Sequence, residues 1–117
     1  MNGSDALESL AYRLRNQRQP IPFDRINAAA MAALPELLAR WLPSGRREGK
    51  EWVALNPTRT DRHLGSFRIN LRTGVWADFA TNDRGGDAVS LAAYIFQMQQ
   101  SEAAEKLAAT FGLEVYR

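Results

Sequence analysis

The chain has 117 residues, 45% of them hydrophobic, a net charge of +2 and no cysteine. That length supports one domain with its own core, and the absence of cysteine excludes disulfides and thiolate metal sites. No apolar run approaches the roughly 18 residues a membrane-spanning helix needs, and the opening Met1-Asn2-Gly3-Ser4-Asp5 has no leader-like pattern, so the expected location is cytoplasmic.

The charge is unevenly spread. Residues 40–84 hold nine Lys/Arg against five Asp/Glu, whereas the rest of the chain is net acidic. Thirteen of the fifteen cations are arginine, whose planar fork suits phosphate.

Along the chain, Leu7, Leu10, Ala11 and Leu14 have helical spacing, and Gln19, Pro20 and Pro22 break the pattern. Residues 1–22 are thus an N-terminal helix and linker, and 23–117 the domain proper. Asp24 is the expected N-cap of a second helix with Ile26, Ala29, Ala30 and Ala33 on one face. Pro35 either kinks that helix or opens a third, and Leu34, Leu37, Leu38 and Trp41 form an apolar stripe that Pro43-Ser44-Gly45 ends. Residues 52–55 form a short strand candidate. Phe67, Ile69 and Leu71 alternate with polar residues, and Thr73-Gly74 turns the chain into a return strand over 75–79. Gly85-Gly86-Asp87 opens a helix with Val89, Leu91, Ala92, Ile95 and Phe96 apolar. Ser101 is the expected cap of the last helix, whose Leu107 and Phe111 face the core and which Gly112 ends. The order of helices, small sheet and helices predicts an α+β fold.

Several short motifs recur in a familiar order: Gly45-Arg46, Trp52, Asn56-Pro57-Thr58-Arg59, Ser66-Phe67, Trp76-Ala77-Asp78-Phe79, Gly85-Gly86-Asp87, Glu102-Ala103-Ala104 and Phe111-Gly112-Leu113. In that order, residues 46–113 resemble the N-terminal zinc-ribbon (CHC2-type) domain of bacterial and phage DNA primases. The resemblance implies a small antiparallel ribbon-like sheet flanked by N- and C-terminal helices. It sets Asn56 at the first Cys position, Arg59 at the His, Asp78 at the third ligand, and the fourth near Thr81 or Asn82. None of these is Cys or His, so the expected domain holds no zinc or other cofactor, and packing and hydrogen bonds must replace the metal. Trp76, Phe79 and the flanking helices are the expected substitutes. The implied setting is a phage, plasmid or mobile-element replication protein, in which a catalytic domain follows this module.

The candidate phosphate-tracking residues are Arg46, Arg47, Lys50, Arg59, Arg62, Arg68, Arg72 and Arg84, with Arg68 and Arg72 expected on one strand face. Trp52, Phe67, Trp76 and Phe79 interleave with them. Such aromatics stack bases when exposed, but alternating strand aromatics usually face inward. Gly85-Gly86-Asp87 before a helix fits either a phosphate cradle or a tight turn with Asp87 as cap, and the turn is the commoner use. His63 with Asp61 and Asp78 is a weak metal candidate. Glu48-Gly49-Lys50 echoes half of a nuclease signature without its upstream aspartate. The leading expectation is a zinc-free module contacting template DNA beside a primase or helicase domain, not itself catalytic. A protein-docking module and a small nuclease using Asp61, Asp78 and Asp83 are the competitors.

Overall fold

The computed structural model describes residues 6–8, 10 and 21–114. Residues 6–8 and 10 are helical with Leu7 and Leu10 exposed. Ala11, Leu14 and most of the expected linker lie outside the described residues.

Two short helices, α1 (Phe23–Ala32) and α2 (Leu34–Trp41), precede the sheet. Asp24 does not cap α1: Pro22 holds that position without a side-chain cap, and Asp24 lies in the first turn, where a carboxylate still favours the helix dipole. Pro35 sits in the first turn of α2, where its missing N–H removes no helical hydrogen bond. The inward residues are Ile26 and Ala30 from α1 and Leu34, Leu37 and Leu38 from α2.

The sheet is an antiparallel meander of β1 (Arg46–Glu48), β2 (Glu51–Ala54), β3 (Phe67–Asn70), β4 (Trp76–Asp78) and β5 (Asp83–Gly85). Two strands more than the sequence pattern suggests are present. Arg46-Arg47-Glu48 and Asp83-Arg84-Gly85 are polar edge strands of three residues, with no apolar alternation to reveal them. Glu48 pairs with Glu51 across a two-residue turn, and Gly49 supplies its left-handed first position (φ 61°). Thus Glu48-Gly49-Lys50 is a hairpin corner. In the β3–β4 turn, Asn70 Oδ1 accepts from the N–H groups of Arg72 (2.8 Å) and Thr73 (3.1 Å).

One face of the sheet is covered. Ala54, Phe67, Ile69 and Trp76 pack with Leu34, Leu38 and Leu42, and with Leu91 and Ile95 of α3 (Ala88–Phe96). A second cluster joins α1, α3 and α4 (Gln100–Thr110) through Ile26, Val89, Ala92, Ala103, Ala104 and Leu107. Trp41 borders both clusters, and its ring meets Phe96 edge-on at 5.9 Å. Phe96 itself is exposed, against its expected place on the apolar face. Trp52 Nε1 donates to Leu42 O at 3.3 Å, tying β2 to the end of α2.

The N-terminus of α3 is closed by Asp87, whose Oδ1 accepts from Ser90 N–H at 2.8 Å in a capping box. Asn27 of α1 accepts from Val89 N–H at 3.0 Å, satisfying a second free donor. The cap of α4 is Gln99 rather than Ser101, which falls inside the helix. Gly112 (φ 68°) follows its end as expected.

Gly85 lies against the Trp76 indole, and a Cβ there would also come within 2.6 Å of Ser90 Oγ. Gly85→Ala is expected to destabilise the fold by about 1–3 kcal/mol through overpacking. A denaturant midpoint equal to that of the wild type would show that β5 yields freely.

Candidate nucleic-acid interface

The three residues that the resemblance sets at ligand positions meet at one point. Asp78, at the end of β4, is fully buried, and Asn56, in the loop after β2, is 1% exposed. Asn56 Nδ2 donates to Asp78 Oδ2 at 2.8 Å, and Arg59 Nε donates to the same oxygen at 2.9 Å. Arg59 Nη2 also reaches Asp78 Oδ1 (3.3 Å) and Ser66 Oγ (3.0 Å). The other side of the carboxylate caps its own turn, since Ala80 N–H donates to Asp78 Oδ1 at 2.9 Å. Burial pushes the Asp78 carboxyl up, but the hydrogen bonds from Arg59, Asn56 and Ala80 outweigh it and hold the group well below the usual carboxylate range. The hydrogen bond to Asp78 raises the Arg59 guanidinium in turn.

Around this pair the remaining polar atoms are matched. Asn56 Oδ1 accepts from Thr58 N–H (2.9 Å) and Thr58 Oγ1 (2.7 Å), and Asn56 N–H donates to Asp61 Oδ2 (2.8 Å). Tyr94 of α3 accepts from Asn56 Nδ2 at 2.8 Å and donates to Asp83 Oδ2 at 2.7 Å. Among the described residues no buried side-chain nitrogen or oxygen lacks a partner. The network therefore links the loop after β2, the end of β4, the start of β5 and α3, and so cross-links the sheet non-covalently.

Sequence reasoning placed Asn56, Arg59 and Asp78 together only through the resemblance, and it missed Tyr94. A tyrosine among Leu91, Ile95 and the alanines of an apolar helix reads as core, and its ring does stack on Trp76 at 4.6 Å. Only the structure shows its hydroxyl aimed at the loop. Phe79, expected to help replace the metal, is 73% exposed instead. Trp76 and Asp78 of β4 are buried, and Phe79, the first residue past the strand, points out. Trp76 and Phe67 are buried, as inward-facing aromatics, and Trp52 is half-buried.

The eight candidate cations separate into groups. Arg59 turns inward onto Asp78. Arg72 is not on β3 with Arg68, because the strand ends at Asn70, whose side chain folds the following turn. Leu71 N–H donates to Lys50 O at 2.8 Å, so the turns bearing Lys50 and Arg72 adjoin at one end of the sheet. Arg62 is exposed in the loop between β2 and β3, at the opposite end. Arg47, opposite Trp52, is exposed and donates through Nε to Gly49 O at 3.1 Å.

The last three cations form a row. Register pairs Arg46 with Val53, Val53 with Arg68, Arg68 with Ala77 and Ala77 with Arg84. Residues directly opposite share a face, and this is the face away from the core of Phe67, Ile69 and Trp76. With strands about 4.8 Å apart, successive arginines stand about 10 Å from one another across the sheet. Arg68 is held by Glu51 (3.1 Å) and Gly65 O (2.8 Å). Arg46 pairs with Glu48 at 3.2 Å, but both are well exposed, and such a pair exchanges readily for another anion. Arg84 is exposed, and no ion pair to it is found among the described residues.

Other candidate chemistries lose their geometry. Asp61, Asp78 and Asp83 each accept from protein donors, and among the described residues no group of three His, Cys, Asp or Glu side chains is placed to hold a metal ion. His63 is exposed in its loop. Asp87 already fills the N-terminus of α3 with a carboxylate, which disfavours a phosphate there. No helix among the described residues is long and apolar enough to cross a membrane. Compared with protein-family models, curated proteins and solved structures, the chain matches none.

Proposed function

We propose that the chain is a DNA-contacting module of a primase-type replication protein, cross-linked by the Asn56–Arg59–Asp78 network in place of zinc. The observation that carries this reading is the row of Arg46, Arg68 and Arg84, set across the five strands on the sheet face opposite Phe67, Ile69 and Trp76, with Val53 buried between the first two. Lys50 and Arg72 extend the positive charge around one end of the sheet. Polyanion binding through such a row needs no catalytic group, and the module acts by gripping a strand for a neighbouring catalytic domain.

The test is DNA affinity as a function of salt. Each phosphate contact contributes about 0.7–0.9 to the slope of log affinity against log salt. Arg46→Ala with Arg84→Ala is therefore expected to flatten the slope by about 1.4–1.8 while leaving the melting temperature unchanged. An unchanged slope in that double variant puts the contact surface elsewhere. No binding by the wild type at low salt rejects the reading.

A second reading has one observation in its favour. Trp41, Ala92, Phe96, Ala103 and Leu107 line an open apolar groove of about 290 Å³ on the helical side. A primase or helicase domain docking there leaves the arginine row free, so the two readings are compatible. Phe96→Asp separates them: it weakens docking to such a domain and leaves the salt slope alone.

A further inference from the structure

We infer that Phe79 and Arg84 form a pocket for one unpaired DNA base, so that the sheet face reads an open strand by stacking as well as by charge. The inference rests on the DNA-contacting reading above and adds a site to it. The Phe79 ring is 73% exposed, whereas the sheet aromatics Phe67 and Trp76 are 0% and 4% exposed. Phe79 is the first residue past β4, and Ala77, two residues before it, pairs with Arg84, so Phe79 and Arg84 lie near one another at the β4–β5 hairpin. Both line one open cleft of about 520 Å³, whose lining also includes Val75, Trp76, Asp78 and Asn82.

The chemistry of the cleft matches a base rather than an apolar protein side chain. Phe79 offers a π-face, Arg84 a planar cation without an ion-pair partner among the described residues, and Asn82 an amide able to meet a base edge. Arg68 and Arg46 continue away from the cleft along the same face, where a backbone leaving the pocket would run. The ring is also held on fixed backbone. Phe79 N–H donates to Ser66 O at 2.9 Å, and Asn82 N–H donates to Asp78 O at 2.7 Å, closing the turn beyond it. Asn82 has a left-handed backbone (φ 67°), which shapes that turn. The buried Asp78 network thus anchors the residue immediately before the exposed ring, linking the cross-link to the contact surface.

A base in a duplex is already stacked on both faces, so only an unpaired base fills the cleft. Three oligonucleotides test this with the intact chain: a mixed-sequence single strand, the same strand with abasic sites along its length, and the duplex. Phosphate number is the same in the first two. The wild type is expected to bind the complete single strand roughly tenfold more tightly than the abasic one, as loss of one aromatic–base stack predicts. Phe79→Ala is expected to lose that difference and to keep the wild-type melting temperature, because an exposed ring adds little to the core. Phe79→Trp is expected to restore it. If the wild type binds complete and abasic strands equally, or if folded Phe79→Ala keeps the difference, the pocket is absent although DNA binding stands. If the wild type binds no DNA at low salt, the DNA-contacting reading itself falls, and this inference with it.

Discussion

Replacing Asp78 with alanine is expected to lower folding stability by about 3 kcal/mol, at the lower end of the loss from breaking a buried ion pair. The lower end applies because Arg59 keeps 28% of its side chain in water and can turn toward solvent once its partner is gone. Asn56 cannot do the same: it is 1% exposed, and its Nδ2 would be left with Tyr94 alone. A loss of that size lowers the melting temperature by on the order of 15 °C. The acid arm of the stability curve supplies a second readout. Asp78 is held below its ordinary value of 3.8, so its ionised form contributes stability that is fully present above that pH. The contribution fades as pH falls below 3.8 toward the depressed folded value. Asp78→Asn, which keeps the shape and removes the charge, should therefore differ most from the wild type near pH 7 and approach it in acid. A gap between the two proteins that stays constant from pH 7 to below pH 3.8 would show that the network acts by shape, not by charge.

The sequence announced the helices and the central hairpin because their burial is periodic. Ile26, Ala30, Leu34 and Leu38 carry a helical stripe, and Phe67 and Ile69 alternate with Arg68 and Asn70. The edge strands were illegible for the opposite reason: Arg46-Arg47-Glu48 and Asp83-Arg84-Gly85 bury almost nothing, and only backbone pairing makes them strands. That omission hid the arginine row, since Arg46 and Arg84 align with Arg68 only when all five strands are in register. Sequence spacing instead paired Arg68 with Arg72, four residues on, and did not foresee that Asn70 would fold the turn between them. Arg59 shows a different gap. Among the cations it counts as one more positive charge, and only the position of Asp78, nineteen residues away, makes it a structural residue. Phe79 was misread by being grouped with Trp76, although it lies just past the end of β4 and its ring points out.

Trp76→Ala is expected to carry the largest loss, about 3–5 kcal/mol, as for other buried aromatics cut back to alanine. The indole is 4% exposed and joins three parts of the fold. It stacks on Tyr94 at 4.6 Å, meets Phe67 edge-on at 6.3 Å, and lies over Gly85 of β5. Its Nε1 donates to Ser90 Oγ at 3.0 Å, and that same hydroxyl donates to Asp87 O at 2.9 Å within the cap of α3. Removing the ring thus leaves a cavity beside Gly85 and strips Tyr94 of its stacking partner, with Tyr94 then less firmly aimed at Asn56. Trp76→Phe keeps most of the contact area and loses mainly the hydrogen bond, so about 1–2 kcal/mol is expected. Ser90 stays satisfied in that variant through Asp87. Thermal melts of the two variants beside Phe79→Ala separate the sheet's two faces: Trp76→Ala should melt far below the wild type, and Phe79→Ala at the wild-type temperature. A Trp76→Ala protein that melts with the wild type and has lost only DNA affinity would put Trp76, not Phe79, at the base-stacking surface.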